Sequence, residues 1–187
     1  MTTFPPATVL FVPGLRDHVE DHWQTHLARE IAGSKTVPPR TKDRLSLRGR
    51  VEALDEALQA ITGDVILVAH SAGVLMVAHW AQRPTRRIRA ALLATPADIE
   101  TPLPEGYPTL PELTQNGWLP VPRAPLPFRS IVVASRNDPL AGFDRVRSFA
   151  ESWRSIFIDG GEIGHLNPAT GFGPWPLAHE FIELLRL

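Results

Sequence analysis

The sequence contains no cysteine, which excludes disulfide bonds, thiolate metal sites and cysteine nucleophiles. It also lacks an excess of charge of either sign, because 19 lysines and arginines nearly balance 20 aspartates and glutamates. The resulting net charge of -1 gives no reason to expect nucleic acid or another polyanion as a partner. Apolar residues make up 43% of the chain and charged residues 21%, which is typical of an ordinary soluble globule.

Long hydrophobic runs are missing too, since none approaches the roughly 20 residues needed to span a bilayer. The N-terminal stretch "MTTFPPATVL" has neither the basic start nor the long apolar segment of a signal peptide. We therefore expect a cytoplasmic protein with no membrane partner.

Strand and helix patterns alternate along the chain of 187 residues. Apolar runs predict strands at 7–13, 35–38, 65–70, 88–96, 130–136 and 155–161, and helical periodicity predicts helices at 22–31, 46–61, 72–82, 145–153 and 176–187. Such alternation indicates parallel β-α-β units, and a chain of this length fits one domain, 1–187. The predicted fold is therefore a three-layer α/β/α sandwich with a mainly parallel sheet.

Proline is the one unusual component, because nine of the 19 prolines fall between Pro96 and Pro127. Proline disrupts regular structure, so we expect little helix or strand in the proline-rich segment, residues 98–128. Loops of this length are uncommon in compact domains and are often functional. Two interpretations remain open here: an inert surface excursion, or a rim or lid of a pocket.

The segment "VILVAHSAGVLMVAHWA" places Ser71 at the only break between a buried strand and a buried helix. A serine at such a sharp turn needs small residues two positions before and after it, and these are Ala69 and Gly73. The usual pattern has glycine in the first position, from which Ala69 departs by one methyl group. At the start of the helix, the Ala72 N–H is placed to bind an oxyanion. Ser71 is therefore a candidate nucleophile.

A serine nucleophile needs a base, and the base needs an orienting acid. In this fold the acid follows the serine in the chain and the histidine comes last, an order met by Asp138 in "SRNDP" and His165 in "GGEIGHLN". Each follows a predicted strand. Leu15, after Gly14 in "VPGLRDH", offers a second oxyanion N–H. Taken singly, Asp138 could be an Asx-turn residue and His165 a loop imidazole bonded to a carbonyl.

The competing interpretation is a metal site. His18, His22 and His26 recur every four residues, a spacing known among zinc ligands. The segment "HVEDH" nevertheless lacks the H-E-x-x-H order, and His18 can precede the helix altogether. The simpler interpretation is that these histidines are exposed or cap a helix, and we expect no metal and no cofactor.

His70, next to Ser71, is predicted to have a structural role.

The chain resembles the small serine α/β-hydrolases of the retinoblastoma-binding-protein-9 and YdeN type over nearly its whole length. The resemblance rests on "FVPG" followed by "DHW", on "AHSAG", on "PLPF" before "SRNDP", and on "GHLN" with "GFGPWP". It implies the minimal α/β-hydrolase fold, with Ser71 as nucleophile, Asp138 as acid and His165 as base. It also implies action on esters or amides, with no natural substrate defined.

Together these observations predict a metal-independent serine hydrolase that cleaves a small carboxylic ester or amide through an acyl-serine intermediate. The alternative to an enzyme is a non-catalytic binding protein that uses the cleft or the proline-rich segment to dock a protein partner. No particular protein partner is indicated.

Overall fold

The computed structural model describes residues 7–187; residues 1–6, which begin the stretch without a signal-peptide pattern, lie outside the described residues. Six strands form one sheet in the order β2-β1-β3-β4-β5-β6. The strands are β1 (Thr8–Val12), β2 (Lys35–Thr36), β3 (Val65–His70), β4 (Ala90–Ala94), β5 (Arg129–Ala134) and β6 (Ile156–Asp159). The helices are α1 (Trp23–Glu30), α2 (Leu47–Gln59), α3 (Ala72–Trp80), α4 (Leu110–Gln115), α5 (Phe143–Trp153) and α6 (Leu177–Arg186).

Both faces of the sheet are covered by helices, because its central strands are apolar on both sides. On β3, Leu67 and Ala69 point into a core shared with α2, α3 and α5. Ile66 and Val68, the alternate residues, point into a second core shared with α1 and α6. Every strand pairing in the sheet is parallel. The predicted three-layer sandwich is confirmed.

The direction of chain travel across the sheet reverses at β1, which pairs with β2 on one side and β3 on the other. In open α/β sheets a crevice forms at such a point, outside the carboxyl ends of the strands. The residues that follow β1, from Pro13 to Leu15, and Ser71, which follows β3, lie at this crevice. The topology therefore brings two predicted parts of the site together.

The helix boundaries lie close to those predicted from the pattern. Ser46 is the N-cap of α2, and its hydroxyl accepts a hydrogen bond of 3.3 Å from the Gly49 N–H. α3 ends at Trp80, two residues before the predicted Gln82. None of the helices formed by residues 7–187 is both long and apolar enough to cross a bilayer.

The proline-rich segment contains one helix, α4, that the sequence analysis did not predict. Thr109 and Glu112 cap its first turn reciprocally, a T-x-x-E signature that was available in the sequence. Pro111 is tolerated because the first turn of a helix leaves its N–H groups unpaired anyway. Further along, Trp118 is fully buried and its Nε1–H donates to the Leu45 carbonyl at 2.6 Å. The segment is thus anchored to the fold.

Candidate active site

Ser71 occupies a strained turn between β3 and α3. Its backbone has φ 57° and ψ −126°, a region that non-glycine residues avoid, and its N–H donates to the Ala94 carbonyl at 3.1 Å. A Cβ added at Gly73 would stand 2.2 Å from the Val12 carbonyl oxygen, so α3 approaches β1 too closely for any side chain there. Ala69 is completely buried, with its methyl group packed in the core. The predicted sharp turn is present, and the extra methyl at 69 is accommodated.

His165 lies between the two other predicted residues of the site. Its Nε2 is 2.8 Å from the Ser71 Oγ. Its Nδ1 is 3.0 Å and 2.9 Å from the two carboxylate oxygens of Asp138. If Nδ1 carries the ring proton, it donates to Asp138 and leaves Nε2 free to accept the Ser71 hydroxyl proton. Three residues from separate strand ends are thus in one hydrogen-bonded row, and their catalytic roles stay predictions.

Burial keeps water away from two members of this row, His165 and Asp138. The His165 side chain is 3% exposed and that of Asp138 is 1% exposed, whereas Ser71 is partly exposed. One Asp138 oxygen also accepts the Leu140 N–H at 2.8 Å, which satisfies the buried carboxylate. The serine is therefore the member of the row that a small molecule can reach.

Asn137, which no sequence pattern indicated, connects the loop that carries Asp138 to the loop that carries His165. Its Oδ1 accepts hydrogen bonds from the Gly164 N–H at 2.7 Å and from the Ser135 hydroxyl at 2.9 Å. These contacts join the loop after β5, which carries Asp138, to the loop before His165. A polar residue beside the predicted acid was the only signal of this role in the sequence.

His70 contacts the site from behind Ser71. Its Nε2–H donates to the His165 carbonyl at 2.8 Å, and the two rings are 4.9 Å apart between centroids. Burial, then the nearness of His165, lowers the pKa of His70 well below its ordinary value. The neutral ring therefore keeps an N–H to donate. The predicted structural role thus includes a direct bond to His165, which the sequence could not reveal.

His22 packs against His70 with the rings tilted and 4.6 Å apart between centroids, and it also lines the cavity beside Ser71. It is the N-cap of α1, and its Nδ1 accepts the Gln24 N–H at 3.2 Å. Burial, with smaller contributions from His165 and His26, lowers the pKa of His22 to about 4. His22 is therefore an uncharged acceptor at neutral pH.

The three histidines of the metal hypothesis do not converge. His18 precedes α1, and on the helix the Nε2 of His26 bonds Asp21 at 2.9 Å. Across residues 7–187, no group of three or more histidine, aspartate or glutamate side chains is arranged to hold a metal ion.

The loop after β1 approaches Ser71 closely. A Cβ added at Gly14 would lie 3.2 Å from the Ser71 Cβ, so glycine permits this approach. Within residues 7–187, neither the Leu15 N–H nor the Ala72 N–H donates to any protein acceptor, although both residues line the cavity. Two unused backbone donors beside a serine hydroxyl are what an oxyanion requires.

A buried arginine on α2, missed from the sequence, holds this loop. The Arg50 side chain is 3% exposed, and its guanidinium donates to the Leu15 carbonyl at 3.1 Å and to the Asp17 carboxylate at 2.9 Å. Its Nε also donates to the Arg44 carbonyl at 2.6 Å. These bonds fix the backbone on either side of Arg16.

A cavity of about 130 Å³ opens beside Ser71. Its walls are mostly apolar, and part of them comes from the proline-rich segment. The apolar and aromatic lining residues include Leu15, Ala97, Ile99, Leu103, Tyr107 and Leu140. Ile99, Leu103 and Tyr107 of the segment 98–128 line the cavity, which is compatible with the interpretation of this segment as a pocket rim.

Comparison with known proteins agrees with this arrangement. The family model described as serine hydrolase matches residues 9–183. A solved YdeN-like hydrolase from Pectobacterium atrosepticum is 30% identical, with a TM-score of 0.82, over 97% of this chain and 91% of that one. No match is found among curated proteins.

Two more distant structures share the fold alone. The ydeN product of B. subtilis is 15% identical with a TM-score of 0.71, and covers 96% of this chain and 98% of its own. The RedJ thioesterase of the prodiginine pathway in Streptomyces coelicolor is 18% identical with a TM-score of 0.61, and the match covers 97% of this chain and 89% of that one. With the family match over most of its length, the chain belongs to the serine hydrolase family, as a YdeN-like α/β-hydrolase.

Proposed function

We propose that this hydrolase cleaves a small carboxylic ester or amide through an acyl-serine intermediate at Ser71. The observation that carries the proposal is the contact of 2.8 Å between the Ser71 Oγ and the His165 Nε2, with Asp138 on the other side of the ring. A serine hydroxyl becomes a useful nucleophile when an oriented base accepts its proton.

In the first step, Nε2 of His165 takes the Ser71 proton as Oγ attacks the substrate carbonyl carbon. The electron pair of the carbonyl moves to its oxygen, which the Leu15 and Ala72 N–H groups stabilise. The tetrahedral intermediate collapses, the bond to the alcohol or amine breaks, and His165 gives its proton to that leaving group. Asp138 remains ionised throughout and offsets the positive charge of the imidazolium.

In the second step, a water molecule enters and His165 removes one of its protons. The resulting hydroxide attacks the acyl carbon, the bond to the Ser71 Oγ breaks, and His165 returns the proton to Ser71. The products are a carboxylic acid and the free enzyme.

The cavity supports a small acyl group. A cavity of about 150 Å³ in another protein binds benzene, so one of about 130 Å³ here suits a group of roughly that size. Its apolar walls, which include Ile99, Leu103 and Leu140, favour hydrocarbon over charged acyl chains at the inner end.

A fluorophosphonate probe tests the proposal, because it phosphonylates an activated serine. We expect labelling of the native protein and of Ser152→Ala, a control whose hydroxyl bonds the Ser148 carbonyl on α5, and none of Ser71→Ala. A folded native protein that resists labelling would favour the binding-protein alternative. Turnover that is lost on adding a chelator would favour metal-dependent chemistry.

A further inference from the structure

Most ionisable groups that line the cavity are neutral or already paired. The Asp17 carboxylate is bonded to Arg50 and also lies 3.4 Å from Arg44. Burial keeps His22 and His70 uncharged at neutral pH, because it lowers the pKa of each. His165 is paired with Asp138. One charged side chain of the cavity wall is left over, and it is Arg16.

Arg16 is exposed at the mouth of the cavity, on the loop that Arg50 fixes. Its guanidinium carbon lies 5.5 Å from the centre of the Tyr107 ring, a side chain of the proline-rich segment. Among residues 7–187, the Arg16 guanidinium has no carboxylate within ion-pair distance and makes no side-chain hydrogen bond, unlike its neighbours Arg44 and Arg50.

This arrangement leaves the N–H groups of the Arg16 guanidinium free to bind a ligand. An arginine that packs its flat face on an aromatic ring still has its N–H edge available for hydrogen bonds. That edge matches a carboxylate, which can accept two parallel N–H bonds. Arg16 is also the residue after Leu15, so the free charge stands one residue from a proposed oxyanion donor.

We propose that Arg16 determines substrate specificity by binding a carboxylate that the ester carries away from its scissile carbonyl. The inference rests on the proposed ester or amide hydrolysis and narrows it to anionic substrates. The hydrocarbon part of the substrate occupies the apolar cavity, and the carboxylate meets Arg16 at the mouth. The carboxylate can belong to the acyl part or to the alcohol part, and these give the two arms of the test.

The test compares two pairs of esters. Monophenyl adipate against phenyl hexanoate places the carboxylate on the acyl part, and para-(butanoyloxy)benzoate against its methyl ester places it on the alcohol part. In each pair the ratio of kcat/KM for the anionic to the neutral ester is measured. We expect one pair to show a preference for the anion, which identifies the part that meets Arg16.

In Arg16→Gln, the ratio for that pair is expected to fall about tenfold, the usual effect of one charge-assisted bond. Arg16→Glu should lower it further. The matched control is Arg44→Gln, which removes a positive charge from the same region; Arg44 pairs with the lining residue Asp17 but is not itself part of the cavity wall. The ratio should persist in this control.

Three results overturn the inference. The first is no preference for either anionic ester, and the second is a kcat/KM ratio that Arg16→Gln leaves unchanged. The third is an equal fall of that ratio in Arg44→Gln, which would indicate that the positive charge of the whole region, and not a bond to Arg16, attracts the anion. If Ser71 is also not labelled by fluorophosphonate and the neutral esters are not hydrolysed, the proposed function fails with it. Turnover of neutral esters without any anionic preference overturns the role of Arg16 alone.

Discussion

The buried guanidinium of Arg50 donates a hydrogen bond of 3.1 Å to the carbonyl of Leu15, the residue whose N–H is a proposed oxyanion donor. The two residues are 35 positions apart in the chain. A side chain on α2 therefore sets the backbone of a loop that flanks Ser71.

Replacing Arg50 with Met should lower kcat on an ester about tenfold with little change in KM. Loss of a single oxyanion donor costs about 100-fold or more, and a displaced loop should cost part of that. Stability should fall by roughly 3 kcal/mol, because Asp17 loses a buried partner. Steady-state kinetics and urea unfolding measure the two effects.

Arg86→Met is the matched control, since Arg86 also donates to backbone carbonyls, those of Leu58 and Ile61, but at the C-terminal end of α2. It should lose stability and keep kcat. Arg50→Lys should recover part of the kcat. If folded Arg50→Met turns over at the native rate, Arg50 does not position the loop.

Changing His70 to Phe should slow both ester turnover and fluorophosphonate labelling by about tenfold. Phenylalanine keeps a ring but has no N–H, so the His165 carbonyl loses its donor, which costs about 1–3 kcal/mol if the carbonyl stays unpaired and lets the imidazole shift. His79→Phe removes a similar bond, from a histidine Nε2–H to the Trp118 carbonyl at 3.1 Å, outside the cavity. Equal labelling rates in the two variants would contradict a positioning role for His70.

The protein should lose stability on mild acidification. The pKa of His22 is about 4 in the folded state against about 6.5 for an unperturbed histidine, so between these values the unfolded chain binds more protons. The free energy of unfolding is unaffected by His22 above about pH 6.5 and falls by up to about 3 kcal/mol as pH drops towards 4.

Urea unfolding across this pH range in His22→Asn measures the contribution. Asparagine is a good N-cap, so the variant keeps the cap on α1 but cannot titrate. Its stability should depend less on pH than that of the native protein. His18→Gln, at a side chain 55% exposed, should keep the native dependence. A native pH dependence in His22→Asn would show that His22 is not the cause.

Gly73→Ala should unfold the protein at a lower temperature and reduce labelling of Ser71 at least tenfold. The new methyl would meet the Val12 carbonyl at 2.2 Å, so α3 must move away from β1 and take the strained turn with it. Overpacking of this kind costs about 1–3 kcal/mol or more. Gly142→Ala, where an added Cβ meets nothing within 4 Å, should change neither property.

Much of the candidate site could be predicted because each of its proposed catalytic residues follows a strand. Parallel strands end at one edge of the sheet, so Ser71, Asp138 and His165 were expected to meet there. The short contacts at His165 are compatible with that expectation. The role of Arg50 could not be predicted in this way. An arginine in an amphipathic helix is expected to face solvent, and only the folded loop after β1 buries this one.

The sequence by itself determined the alternation of strands and helices, the small residues around Ser71 and the chain order of the proposed catalytic side chains, since these are local or periodic patterns. Only the tertiary structure decided that His70 bonds the carbonyl of His165, 95 residues away, and that Arg16 stands over Tyr107. Such contacts depend on how loops from different strands pack together, and no regular spacing in the chain encodes them.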